Sequence, residues 1–136
     1  MPDVFNPEER SRIMAKVRGE NTSPERLVRS LIHKMGYRFR LNVKDLPGKP
    51  DIVLKKHKKV IFVHGCFWHQ HEGCPNAARP SSNTEYWNKK LDRNMIRDRE
   101  NVQKLAYLGW KVLVVWECEI KDREKLVERL KGFLTS

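Results

Sequence analysis

"DIVLKKHKKVIFV", residues 51–63, decides the fold. Asp51-Ile52-Val53-Leu54 and Val60-Ile61-Phe62-Val63 are short β-branched runs flanking a polar tip, Lys55 to Lys59. That pattern reads as a hairpin with its two strands side by side. Upstream, Tyr37 to Val43 alternates as a further strand, and Leu46-Pro47-Gly48-Lys49-Pro50 is turn material that ends it. Downstream, residues 65–83 form a loop rich in Cys, His, Pro, Ser and Asn. It is too long to be idle in a compact domain unless something ties it down. From Thr84 a helix carries Trp87, Leu91, Met95, Val102 and Leu105 on one face and ends near Gly109. Lys111 to Trp116 reads as a fully buried strand and Arg123 to Leu134 as a final amphipathic helix. Strand, helix and strand after the hairpin imply a right-handed crossover and a mixed α/β sheet.

The N-terminal part reads as helical. One helix opens at Asn6, with Pro7 in its first turn, and runs to about Val17 before Gly19, carrying Arg10, Arg12, Lys16 and Arg18 on its exposed side. A second has Ser23 as its cap and Pro24 at its first position, with Leu27, Val28, Leu31, Ile32 and Met35 at helical spacing until Gly36. The chain of 136 residues fits one domain; such a chain buries roughly two thirds of the surface it exposes when unfolded.

Charge narrows the function. Lys plus Arg number 28 against 17 Asp plus Glu, and the net charge of +11 is spread along the whole chain. A folded surface facing a polyanion follows, nucleic acid first, with acidic protein or anionic lipid as weaker options. No apolar run approaches the roughly 20 residues of a membrane span, and the start, MPDVFNPEER, has no signal-peptide core. We therefore expect a cytosolic protein with no membrane partner. Cys66, Cys74 and Cys118 are an odd number, better read as thiols or metal ligands than as disulfides.

Cys66, His71 and Cys74 fall within nine residues, and Cys118 directly follows a strand whose end can approach them. Three thiolates and one imidazole match a closed tetrahedral zinc site; the alternative is three small buried thiols. Such a site leaves no open position, so the zinc would be structural, contributing on the order of 10 kcal/mol or more to ordering the loop. His64 and His69 are then free for chemistry. An imidazole is the natural general base for activating water, although His69 could also replace His71 on the metal or simply face solvent.

Pro50-Asp51 opens a hairpin strand, where one class of metal-dependent nucleases places its first carboxylate. Those nucleases continue with acid, any residue, lysine on the next strand; here that stretch is Phe62-Val63-His64. A Mg²⁺ ion at Asp51 would need other oxygen ligands, such as the backbone carbonyl near Val63 and the substrate phosphates. Glu25 reads either as a favourable acid in a helix first turn or as a partner for His69.

Four segments carry a resemblance: Pro-Gly-Lys-Pro-Asp at 47–51, Val-Ile-Phe-Val-His-Gly-Cys-Phe-Trp-His at 60–69, Thr-Glu-Tyr-Trp-Asn-Lys-Lys at 84–90, and Leu-Gly-Trp-Lys-Val-Leu-Val-Val-Trp-Glu-Cys at 108–118. Together they closely resemble the Vsr very-short-patch-repair endonucleases, over nearly the whole chain. The resemblance implies a nick 5′ of the thymine in a T:G mismatch left by 5-methylcytosine deamination. It further implies a restriction-endonuclease-like α/β fold, a variant of the PD-(D/E)xK type, with helices flanking a mixed sheet and a structural zinc site. Residues 1–20 would be a basic arm on DNA and 21–136 the catalytic core. By the same resemblance Asp51 is the Mg²⁺ ligand, with the Val63 carbonyl beside it, His69 is the base, and Glu25 and His64 support them. Cys66, His71, Cys74 and Cys118 are the zinc ligands. Phe67 and Trp68 resemble a wedge inserted into the duplex, Met14 a residue entering from the minor groove, and Trp87 a further aromatic at the mismatch. Lys90 and Asn94 resemble the readers of the mismatched bases. The implied partners are mismatched duplex DNA, a cytosine-5 DNA methyltransferase and mismatch-repair proteins, with the enzyme a cytoplasmic monomer that joins the nucleoid while acting. The chain departs from the family pattern in that Gln70 and Glu72-Gly73 break the histidine run of this loop, and the loop is one residue longer before Cys74.

Overall fold

The computed structural model describes residues 22–136; the expected helix over 6–17, with Met14 and the basic arm, lies outside the described residues. Four strands form one mixed sheet in chain order: β1 (Arg40–Leu41), β2 (Ile52–Leu54), β3 (Lys59–His64) and β4 (Lys111–Trp116). The first three are antiparallel, and β3 pairs with β4 in parallel from Lys59 opposite Lys111 to His64 opposite Trp116. Among the described residues three α-helices accompany the sheet: α1 (Ser23–Lys34), α2 (Thr84–Tyr107) and α3 (Arg123–Thr135).

Side chains alternate across the sheet and divide the core in two. Ile52, Leu54, Ile61 and Val115 pack with Val28, Leu31 and Ile32 of α1 and Leu126, Leu130 and Leu134 of α3. Val53, Val60 and Phe62 pack on the opposite side with Leu105 of α2. The sheet is therefore covered on both faces, as a parallel crossover demands.

Several expectations need correction. The strand expected over Tyr37–Val43 is only Arg40–Leu41, because Asn42 turns to φ 48° and donates its N–H to the Asp51 carbonyl at 3.1 Å. The α1 cap is Thr22, not Ser23: Thr22 Oγ1 accepts from the Glu25 N–H while Glu25 Oε2 accepts from the Thr22 N–H, a capping box. β4 is not fully buried; only Val115 is, since β4 is the sheet edge among the described residues. On α2 only Leu91 and Leu105 are buried, while Trp87 and Met95 lie beyond the sheet over the long loop.

Lys59 is not part of an exposed hairpin tip. A short 3₁₀ turn, Lys55–His57, and left-handed Lys58 close the hairpin, and Lys59 begins β3 with only 4% of its surface exposed. Its ammonium donates to the backbone oxygens of Leu134 at 2.9 Å and Ser136 at 3.0 Å, satisfying acceptors at the C-terminal end of α3. Lys59→Ala would leave those acceptors unpaired, and we expect a loss of about 1–3 kcal/mol in urea unfolding; an unchanged midpoint would contradict this docking role.

Candidate active site and metal centre

The parallel register brings β3 and β4 out of the sheet at the same end, after His64 and Trp116. Cys66 and Cys118 each lie two residues further on. Between them the loop folds back in a tight turn: the N–H of Gln70 donates to the Phe67 carbonyl at 3.3 Å and that of His71 to the Cys66 carbonyl at 2.9 Å. His71 Nδ1 thereby sits 3.7 Å from Cys66 Sγ and 3.4 Å from Cys118 Sγ. Cys74 completes the group, and the four ligand atoms lie within 4.8 Å of one another. Sulfurs at opposite corners of a tetrahedron with 2.3 Å bonds are about 3.8 Å apart, so the cage fits one divalent cation of the soft or borderline kind.

The chemistry of the donors agrees with the geometry. Burial, followed by the neighbouring Cys118 and Cys74 thiols, pushes the Cys66 thiol up to about 12. A bound cation reverses that preference, because it is the thiolate that ligates. The His71 ring lies flat on Trp116, 4.2 Å between centroids, which fixes the direction of its nitrogens. His71, not His69, is thus the imidazole of this cluster. Just before Cys74 the chain turns at Gly73, whose φ of 75° is adopted without a side chain to strain it.

The second cluster lies in an adjoining cleft of 210 Å³ lined by Asp51, Val63, His64, His69 and Asp98. Gly48, at φ 76°, lets the preceding turn press against α2, where a Cβ would come within 2.9 Å of the Asn101 amide. Asp51 Oδ2 accepts from the Val63 N–H at 2.6 Å. Burial, then the Glu25 carboxyl beside it, holds the Asp51 carboxyl far above the usual carboxylate range. Glu25 is fully buried, and its Oε1 has no hydrogen-bond partner among the described residues. A buried and a half-buried carboxyl group side by side, with an orphaned oxygen, suit a hard cation, which would offset their repulsion.

His69 Nδ1 lies 2.7 Å from Asp98 Oδ2, and the His69 ring stacks on His64 at 3.8 Å with 6° between planes. Burial pushes His64 down to about 3, aided by His69 and opposed by Asp98, so His64 is a neutral wall of the cleft. A neutral His69 ring that donates an Nδ1 proton to this carboxylate would have Nε2 as its acceptor. Asp98 was not among the expected site residues. Its signal was present, since it lies seven residues from both Leu91 and Leu105 and so places a carboxylate on the inward stripe of α2.

Beside the cleft, Phe67, Trp68 and Trp87 form a half-buried aromatic cluster with centroid distances of 5.1, 5.5 and 6.0 Å. Lys90 Nζ lies 5.8 Å from the Trp68 ring, and the Asn94 amide donates to the Trp68 carbonyl at 3.1 Å. Among the described residues, no helix is long and apolar enough to cross a membrane.

The family model for the DNA mismatch endonuclease Vsr matches residues 2–75. The chain is 50% identical to the type II nicking enzyme V.XorIIP of Xanthomonas oryzae pv. oryzae, over 98% of each chain. It is 46% identical to the type II nicking enzyme V.NmeAIP of Neisseria meningitidis, over 96% of this chain and 92% of that one. With the DNA mismatch endonuclease Vsr of Escherichia coli it shares 41% identity, over 94% of this chain and 81% of that one.

Removing one thiol should empty the cage. Cys118→Ser is expected to bind less than one equivalent of divalent metal by elemental analysis and to melt at lower temperature, since ligation energy is folding energy. A variant with full metal content and an unchanged melting temperature would rule out Cys118 as a ligand.

Proposed function

The chain belongs to the Vsr family of DNA mismatch endonucleases, and we propose that it nicks duplex DNA on the 5′ side of the thymine in a T:G mismatch. The observation that carries this reading is the His69–Asp98 pair, stacked on His64 in the cleft that holds Asp51, with an aromatic cluster at its edge. One feature hydrolyses and the other engages bases. The net charge of +11 suits the phosphate backbone.

In this reading His69 Nε2 takes the proton from a water as the water attacks phosphorus, and Asp98 holds the ring and stabilises the imidazolium that forms. The neutral His64 ring excludes solvent from one side and keeps the His69 plane fixed. Mg²⁺ bound by Asp51 and the Val63 carbonyl would stabilise the charge that develops on the phosphate oxygens. Glu25, whose carboxyl interacts with that of Asp51, would support the site from within the core. The cysteine–histidine cage would hold zinc in a structural role, closed to substrate. The sheet with its helices fits the restriction-endonuclease-like fold, with lysine and second acid of the usual motif replaced by His64 and the His69–Asp98 pair.

Phe67, Trp68 and Trp87 enter the duplex at the mismatch, where unstacking costs least, and Lys90 and Asn94 meet the exposed base edges. Met14, on the arm of residues 1–20, approaches from the minor groove. The T:G pair arises where 5-methylcytosine has deaminated, so the preferred context follows a partner cytosine-5 methyltransferase. A monomer is sufficient for one nick, and the enzyme works in the cytoplasm on the nucleoid.

Strand-resolved cleavage of labelled duplexes, each with one T:G mismatch in a different pentanucleotide context, tests this directly. We expect a Mg²⁺-dependent cut in the thymine strand alone, directly 5′ of the mismatched base, and none in the matched C:G duplex. Equal cutting of both strands, or tight mismatch binding with no cutting in any context, would refute the assignment. In the productive context, Asp51→Ala should abolish nicking while retaining mismatch binding; equal loss of both would remove Asp51 from the metal site. Asp98→Asn should slow single-turnover nicking about 10²- to 10⁴-fold, because an amide can favour the wrong ring tautomer. An unaltered rate constant would exclude Asp98 from the base.

A further inference from the structure

Residues 66–71 close as one helical turn ending in a left-handed residue. The His71 N–H reaches back to the Cys66 carbonyl and the Gln70 N–H to the Phe67 carbonyl, the paired 6→1 and 5→2 bonds of a helix C-terminus. The left-handed position in such an ending normally belongs to glycine, yet here it is Gln70, at φ 51°. Gln70 Nε2 donates to the Phe67 carbonyl at 2.7 Å and to the Ala77 carbonyl at 3.1 Å. Its Oε1 accepts from Arg79 Nε at 2.9 Å. Both side-chain heteroatoms are thus used.

Arg79 carries the tie onward to α2. Its guanidinium donates to Asn88 Oδ1 at 2.9 Å and to Asp92 Oδ1 at 2.7 Å, residues one turn apart on the helix that also carries Trp87. The carbonyl of Phe67 is held by Gln70 and that of Trp68 by Asn94. Both backbone carbonyls of the Phe67-Trp68 pair are therefore fastened by side chains, one of them through a chain of four residues that neither the cation cage nor the catalytic cleft requires.

We propose that Gln70 and Arg79 form a clasp that fixes the Phe67-Trp68 turn against α2, so that the aromatic wedge meets the mismatch already in its inserting geometry. The inference rests on the mismatch-endonuclease reading and names two positioning residues for it. A rigid wedge spends none of its insertion energy on ordering the loop, and a misplacement of about 1 Å costs up to 10²-fold in rate. Arg suits this place because its planar fork serves three acceptors at once, which an ammonium on a flexible stem cannot do.

The experiment uses the full-length protein and a duplex with 2-aminopurine beside a T:G mismatch, whose fluorescence rises when the neighbouring bases unstack. Gln70→Gly keeps the left-handed backbone and deletes the side chain; Arg79→Ala deletes the link to α2 from outside the segment of metal ligands. Both are expected to retain bound metal and matched-duplex affinity, to show a smaller fluorescence rise, and to nick about 10- to 100-fold more slowly in single turnover. Arg79→Lys is expected to remain defective, since it keeps the charge but not the fork. Wild-type unstacking and nicking in Gln70→Gly and Arg79→Ala would overturn the clasp, as would full rescue by lysine, which would make Arg79 a plain phosphate contact. Should Gln70→Gly lose its metal, Arg79→Ala decides by the same criteria. If the wild-type protein gives no fluorescence rise at T:G, the wedge reading itself fails, a result distinct from clasp failure in the variants alone.

Discussion

The parallel pairing of β3 with β4 is the constraint on which the rest of this structure depends. Its register, with His64 opposite Trp116, brings Cys66 and Cys118 to the same end of the sheet although 51 positions separate them in the chain. A shift of one residue would turn each side chain of β4 to the other face and carry Cys118 away from the cage. It would also move Trp116 from beneath the His71 ring, which it now orients. The register is secured by packing on both faces of the sheet, with Ile61 and Val115 buried on one side and Val60 and Phe62 on the other.

From that junction two side-chain clusters are laid out on one loop. The cage of Cys66, His71, Cys74 and Cys118 holds the loop from one side, and α2 holds it from the other through Asp98, Asn94 and the Arg79 bonds. His69 is between the two supports, and Phe67 and Trp68 lie just before it. His69 and the Phe67-Trp68 pair are therefore positioned by the same short segment, and side-chain bonds to α2 stand in for the regular structure that so long a loop lacks. α2 is long because it serves the sheet with Leu105 and the loop with Trp87, at opposite ends of the same helix.

The hairpin, the crossover helix and the final helix were legible because their apolar residues repeat with periods set by backbone geometry. Edges were less so. Tyr37 to Val43 alternates like a strand, but pairing ends where Asn42 turns to meet the Asp51 carbonyl. Lys59 looked like a tip residue because lysines rarely go inside; it is buried because α3 ends above it with carbonyl groups to satisfy. Glu25 reads from its own segment as a helix-start acid, and it is one, yet the same carboxyl interacts with that of Asp51.

By itself, then, the sequence determined the inventory: which segments are strands and helices, which thiols and imidazoles could share a cation, and, through four matching segments, which family the chain joins. Tertiary structure alone decided the assignments within that inventory. It recruited Asp98 to His69 from a helix 29 residues away and tied Gln70 to α2 through Arg79. The physical reason is that periodicity and ligand type are local properties of the chain, whereas the partner of a polar group is fixed by which atoms the packed sheet and helices bring within about 3 Å of it.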